Sequence, residues 1–411
     1  MSLKTKVLIF VGIITAVMVV QFFVSGIGQG HTMRMEPTGH GVPYAFDAGP
    51  FFHSNNSRFY FVVTRDGIQY RPSNGEARWS HSFNFTQPLA VARGDFVAVG
   101  ERQGGRRVEV FSAADERLFV AEFNDPVMMF SVSATGLLSV VVQYAAGGYG
   151  IYVENQQSVR GIRGLDSIYS QRIVDDLHFP VAVEISHDGR YIAVATLDVS
   201  GIRPETTIEF RYIHESHAWA VGVDDQEGLF ASEIFNGQLI YGMRFMENNR
   251  FVVATTSQIV GFQMTPRAYA PTAMQILWTR ELQNELAHLA FYGNRHIVYV
   301  TGNMHLGVAS GDPVGTVHMI NSEGEPVGEF SLGRRATHLS VGHGAVLVGS
   351  DRNFHAIDMR GNHLWEHNAL HYTLAMIFLD DRDTVLIAGA NRAEVNARQR
   401  TRVNEFETGL D

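Results

Sequence analysis

The sequence predicts an all-β chain: a β-propeller of four-stranded blades, eight favoured and seven the alternative, preceded by one N-terminal transmembrane helix. Three observations carry that expectation. A strand–turn–strand unit recurs roughly every 46 residues, within the range for one propeller blade. All four tryptophans fall on the same strand of that unit. One uncharged, apolar run of 21 residues stands near the N-terminus, just after the only two lysines.

That run comes first in the chain. Residues 7–27 read Val-Leu-Ile-Phe-Val-Gly-Ile-Ile-Thr-Ala-Val-Met-Val-Val-Gln-Phe-Phe-Val-Ser-Gly-Ile. As a helix they would span about 30 Å, the hydrocarbon thickness of a bilayer. Lys4 and Lys6 precede the run, and no basic residue follows until Arg34. The positive-inside rule then leaves residues 1–6 in the cytoplasm and exports the rest. A cleaved signal peptide is the competing reading, with Val24 and Gly26, or Gly26 and Gly28, as small residues near a cut. The run is longer than an ordinary signal-peptide core and has no clear Ala-x-Ala site, so an uncleaved anchor is preferred. Residues 28–50, rich in Gly and carrying Pro37, Pro43 and Pro50, read as a tether.

Residues 51–400 read as the propeller and 401–411 as a C-terminal tail. The repeat is plainest in Val181-Ala-Val-Glu-Ile-Ser-His-Asp-Gly-Arg-Tyr-Ile-Ala-Val-Ala195. It returns in Tyr241-Gly-Met-Arg-Phe-Met-Glu-Asn-Asn-Arg-Phe-Val-Val-Ala254 and in Leu289-Ala-Phe-Tyr-Gly-Asn-Arg-His-Ile-Val-Tyr-Val300. Weaker copies occupy 88–100, 127–142, 336–349 and 373–389. The turns Asp188-Gly189, Asn248-Asn249 and Gly293-Asn294 hold residues that accept positive φ in hairpins. Second strands are expected to start near 58, 95, 137, 190, 250, 295, 344 and 383. The first copy lacks a clear innermost strand and the last a clear outermost one, which fits a ring closed by strands from both ends. Trp79, Trp219, Trp278 and Trp365 mark outermost strands, where a large ring can pack across to the next blade.

These residues carry a resemblance. Ser186-His-Asp-Gly-Arg-Tyr-Ile-Ala-Val-Ala195 resembles the turn and strand of WD40 and TolB-type repeats. Ile357-Asp-Met-Arg-Gly-Asn-His-Leu-Trp365 is similar to quinoprotein-like (PQQ-like) repeats. The resemblance covers roughly residues 55–400, and it is to a repeat architecture; such repeats identify fold far better than function. Membrane-anchored bacterial propellers and the propeller subunit of outer-membrane assembly share it. The latter is a lipoprotein, and a chain with no cysteine cannot be attached in that way.

Composition excludes much chemistry. No cysteine means no disulfide, thiolate metal site, iron–sulfur cluster or cysteine nucleophile. With no lysine after Lys6, the exported part has neither a Schiff-base nor a phosphate-loop lysine. Beyond residue 30, thirty arginines face 42 acidic residues, a net charge of −12, so nucleic acid is not an expected partner.

Of the candidate sites, His363-Leu-Trp-Glu-His367 matches the H-x-x-E-H pattern of zinc peptidases. That pattern needs a helix; along a strand four residues span about 13 Å, too far for two imidazoles on one zinc. His371 meets the same objection. The acidic clusters Asp175-Asp176, Asp224-Asp225 and Asp380-Asp381-Arg382-Asp383 have no calcium-loop spacing, and the last occupies the turn of the repeat. Quinone-dependent dehydrogenases carry cofactor-stacking and calcium-binding segments that are not found here. Gly307-Val-Ala-Ser-Gly311 does not match the nucleophile elbow of hydrolases. No catalytic, cofactor-binding or metal residue is therefore assigned. The segments 197–207 and 265–273, longer than blade turns, are expected to project from one rim as contact surfaces. The expected function is a non-catalytic binding or scaffolding module of a cell-envelope complex. Its partners would be envelope or membrane proteins met through a propeller face or rim loops. The alternative is a propeller enzyme or sensor acting on an envelope glycan or small molecule at the central channel.

Overall fold

The computed structural model describes residues 33–400 except 45–50, 55–58, 103, 115, 161–167, 175–176, 214–227, 268–270, 303–314, 351 and 370. The helix expected at 7–27, the tail 401–411, Trp219, Asp175-Asp176, Asp224-Asp225 and the 307–311 segment lie outside the described residues. Among those described, no helix is long and apolar enough to cross a membrane.

The strands form eight sheets of four, each a consecutive antiparallel meander except the last. Blades 1 to 7 span residues 51–82, 88–122, 127–173, 178–236, 240–281, 286–331 and 338–368. Blade 8 takes its three inner strands from residues 375–400 and its outermost strand from Met33–Pro43. The ring is thus closed by both ends of the chain. The second strands begin at 59, 96, 138, 191, 250, 296, 345 and 384, within one residue of every expected start.

Those strands were legible because neighbouring blades bury them on both faces. Eight apolar clusters exist among the described residues, one at each junction between consecutive blades. A strand covered on both sides has no solvent face to mark with polar residues, so Tyr191-Ile-Ala-Val-Ala195 reads as a continuous apolar run. The eighth junction joins Leu386 and Val395 of blade 8 to Phe52 and Tyr60 of blade 1.

One segment departs from the sequence reading. Met33–Pro43, inside the stretch read as a tether, pairs antiparallel with Arg392–Arg400, and the propeller extends beyond 51–400 accordingly. Met35 and Val42 are buried in the junctions on either side. Pro37 stands where the pairing register shifts, and Gly39 takes φ +85° beside it. An outermost strand leaves one row of N–H groups unpaired, so proline is tolerated there at little cost. Composition alone made this edge strand look like a linker.

The three described tryptophans bridge blades as expected. From outermost strands, Trp79, Trp278 and Trp365 donate their indole N–H to Ala113 O (3.5 Å), Ser322 O (3.0 Å) and Arg382 O (2.8 Å), all in turns of the next blade. Trp278 lies flat over Gly261 of its own blade and Gly324 of the next; a methyl group at either position would overlap the indole. Gly261→Ala is therefore expected to destabilise by about 1–3 kcal/mol, as overpacking does. Urea unfolding followed by tryptophan fluorescence checks this, and an unchanged midpoint with an unchanged native spectrum contradicts the packing role.

The repeat turns owe their form to short polar side chains. In blade 4, Ser186 Oγ accepts from the N–H of Arg190 (3.1 Å) and Tyr191 (3.0 Å), Asp188 Oδ1 accepts from Arg190 N–H, and Gly189 takes φ +69°. Asp358 caps a different turn, between the third and outermost strands of blade 7, through the N–H groups of Arg360 and Asn362. Asn248 and Asn249 both take positive φ. These residues shape turns, as the spacing suggested.

Candidate functional site

Antiparallel order gives the disc two distinct faces. The connections from outermost to next innermost strand, and the turns between second and third strands, share one face, here called upper. The remaining turns lie on the lower face. Two features stand out, one on the upper face and one in the channel near the lower face.

The upper feature is apolar and centred on blades 4 and 5. Leu177, Phe179, Val199, Ile202, Leu239 and Tyr241 are exposed there. Hydrogen bonds draw their segments together: Val199 N–H to Leu177 O (3.2 Å), Gly237 N–H to Pro204 O (2.8 Å) and Thr256 N–H to Leu239 O (3.0 Å). Ile202 tops the turn between Tyr191–Asp198 and Glu205–Tyr212. The expectation of a long loop at 197–207 is refined here, because its flanks continue the ladder, with Leu197 opposite Thr206 and Asp198 opposite Glu205, and only 199–204 turn. The second expected contact segment, 265–273, joins a third to an outermost strand and so belongs to the lower face. The two segments therefore do not share one rim. The blade meander reverses direction at every strand, and sequence inspection did not track it.

The channel feature is ionic. Arg93, the last residue of the blade 2 inner strand, pairs with Glu184 of blade 4. Arg244 of blade 5 approaches the same carboxylate, Nε to Oε1 3.7 Å, and lies over the Phe291 ring at 4.7 Å. Arg93 and Glu184 are 7% and 6% exposed. Arg93 Nη2 and Arg244 Nε are buried and lack a hydrogen-bond partner. Burial pulls Arg244 below its usual range; the Glu184 carboxylate opposes that and Arg93 reinforces it. His53 of blade 1 meets Gly94 O at 2.9 Å; burial holds its imidazole below its ordinary value, Asp95 pulling upward and Arg244 downward. Two guanidiniums around one carboxylate leave one positive charge in excess. Arg93, Arg244 and His53 lie in the wall of a cavity of about 620 Å³ bounded by inner strands.

Sequence reasoning singled out none of these channel residues. A signal was present: Glu184 and Arg244 occupy the same register position in consecutive repeats, each a charge within an apolar inner strand. Arg93 gave no such sign, since its partner lies 91 residues away.

The candidates that were singled out fall into structural roles or apart. Asp380 accepts from Ser73 Oγ of blade 1 (2.8 Å), Asp381 accepts from Asp383 N–H (2.8 Å), and Asp383 pairs with Arg398 (3.2 Å). His363 and His367 sit on an outermost strand, His363–Asn368, and face opposite sides of the sheet, with cross-strand partners Ile357 and Phe354. His371 lies beyond it, in the connection to blade 8.

This architecture defines the chain as an eight-bladed β-propeller of four-stranded blades with WD40-like repeats. It belongs to DUF5711, a family of unknown function, which matches residues 57–395. Among curated proteins no sequence matches this chain. Solved structures do resemble it in fold. BamB from Moraxella catarrhalis has TM-score 0.51 and 12% identity, with 88% of this chain and 99% of that one covered. Chaetomium thermophilum Sqt1, solved bound to the N-terminus of ribosomal protein L10, has TM-score 0.52 and 12% identity over 88% and 99%. The C-terminal WD40 domain of Sif2 has TM-score 0.52 and 9% identity over 90% and 99%.

Proposed function

We propose that this protein is a non-catalytic protein-binding module of a cell-envelope complex. Residues 7–27 hold it in the cytoplasmic membrane, and the propeller stands outside the cytoplasm. The observation that carries the binding role is the apolar upper face at blades 4 and 5, where a rigid β-scaffold presents several large side chains to solvent. Clustered exposed apolar residues mark interaction surfaces. Sqt1, a propeller of similar form, was solved with a peptide segment of another protein. The anchor rests on the 21 uncharged residues and on Lys4 and Lys6 before them.

Affinity capture of the full-length protein from gently extracted membranes tests this, using acidic-group or photo-cross-linkers because lysine is absent after Lys6. One or a few envelope proteins at near-stoichiometric yield are expected. The double substitution Ile202→Glu/Leu239→Glu should abolish that yield while moving stability by no more than about 0.5 kcal/mol per site, since both side chains are exposed. Recovery of the protein alone, or full capture by the double variant, removes the proposal's support.

The channel favours a second reading: recognition of a small anion or acidic envelope glycan by the excess charge of Arg93 and Arg244. A ligand that binds only the folded state raises thermal stability. Glucuronate and inorganic phosphate are suitable probes, and Arg244→Met should erase the rise. A melting temperature indifferent to both probes rules against it.

A further inference from the structure

The outer edge of blade 7 gathers three metal-binding side chains that the sequence motif did not pair. His355 comes from the third strand, Asn353–Asp358, and His363 and Glu366 come from the outermost strand, His363–Asn368. In a regular strand residues three apart face opposite sides, which would separate His363 from Glu366. Here the pairing shifts between Ala356 and Ile357: Trp365 stands opposite Ala356 and His363 opposite Ile357, leaving Leu364 as the extra residue of a bulge. The bulge turns His363 back onto the face of Glu366, and Glu366 pairs directly across from His355. The same bulge places His367 on the other face. The H-x-x-E-H pattern is thus split, and a different trio is assembled.

We propose that His355, His363 and Glu366 form a zinc site, with three protein donors and a fourth position open to water or to a partner's side chain.

The geometry fits that ion. The donor atoms of the three residues lie within 4.8 Å of one another. His355 Nδ1 and His363 Nε2 are 3.4 Å apart, long for a hydrogen bond. Tetrahedral zinc with nitrogen bonds near 2.0–2.1 Å separates its donors by about 3.3 Å, so this pair already spans one edge. Glu366 is exposed and brings a carboxylate oxygen within 4.8 Å of both imidazole donors. Surrounding groups orient the ligands. Phe330 of blade 6 stacks on His363 (6.2 Å between centroids, 21° between planes) and meets His355 at 5.7 Å. Asn353 donates to Glu366 Oε1 at 2.8 Å, the kind of outer-shell contact that fixes a carboxylate ligand. Burial holds the His355 imidazole below its ordinary value; Glu366 opposes this, and His363 and Arg334 reinforce it.

The test is zinc titration of the untagged full-length protein in detergent by calorimetry, with cobalt absorption as a second readout. One equivalent per chain is expected, with affinity falling as pH drops through the imidazole range near 6.5. His355→Ala, His363→Ala and Glu366→Gln should each weaken binding at least about tenfold. His367→Ala should leave it unchanged. Unfolding curves of each variant separate loss of the site from loss of the fold; the substitutions at His363 and Glu366, both exposed on the outermost strand, should leave the midpoint in place. No saturable zinc binding would overturn the site. So would wild-type affinity in His363→Ala and Glu366→Gln, or an equal loss in His367→Ala.

Discussion

Glu184→Ala is expected to destabilise the propeller by about 3–5 kcal/mol, among the largest effects of any single substitution in this chain. The carboxylate is 6% exposed and stands between the Arg93 and Arg244 guanidiniums. Its removal leaves two neighbouring like charges with no counterion, one of them, Arg93, only 7% exposed. The triple variant Arg93→Met/Glu184→Leu/Arg244→Met removes the charges together and should recover most of the loss, since an apolar replacement of a buried ion group is often neutral or better. Urea midpoints of the three proteins decide the matter. A Glu184→Ala midpoint equal to wild type would mean that water in the channel already screens the arginines.

Removing the closing strand should have an effect of similar size, together with a change in association. A chain beginning at Phe51 lacks Met33–Pro43 and with it the burial of Met35 and Val42, each 4% exposed. Burying a side chain of that size contributes about 1.5–3 kcal/mol, so the two account for roughly 3–6 kcal/mol. The Thr38 hydroxyl bond to Val395 O, 3.0 Å, is lost as well. The strand Arg392–Arg400 would then offer an unpaired edge at a junction whose apolar cluster is part-exposed, and such an edge seeks another strand. A lower unfolding midpoint and self-association in light scattering are expected, against a chain beginning at His31 as reference. A monomer with the full midpoint would show that the ring does not depend on this strand.

The parts of the molecule that sequence reasoning placed well share a physical cause. Second strands are covered on both faces, turns need Gly, Asn or Asp at fixed offsets, and outermost tryptophans sit over the next blade. Each leaves its requirement in residue type at one local position. Ser186-His-Asp-Gly-Arg190 is readable because the hydrogen bonds that shape it run between residues at most five apart. The same logic explains what was misplaced. Met33–Pro43 carries proline and glycine because an outermost strand tolerates them, and a tether tolerates them too, so composition cannot separate the two. The segments 199–204 and 265–273 were both recognisable as turns, yet the face each occupies depends on counting strand reversals within its blade. His363 and His367 share a motif spacing, and a single bulge at Leu364 decides that they part company.

By itself the sequence determined the all-β architecture, the repeat length, the eight-blade count as the favoured one, and the absence of thiol and lysine chemistry beyond Lys6. These are properties of local pattern and composition, which a linear chain states outright. Tertiary structure alone decided where charge is concentrated and where donors meet. Arg93 and Glu184 are 91 residues apart, and His355 and Glu366 come together only across a ladder whose register is set by a bulge. Closing the ring brings residues from separate repeats onto one channel and one edge. Because packing within each blade does not depend on which charges face the channel, the fold could be read where its sites could not.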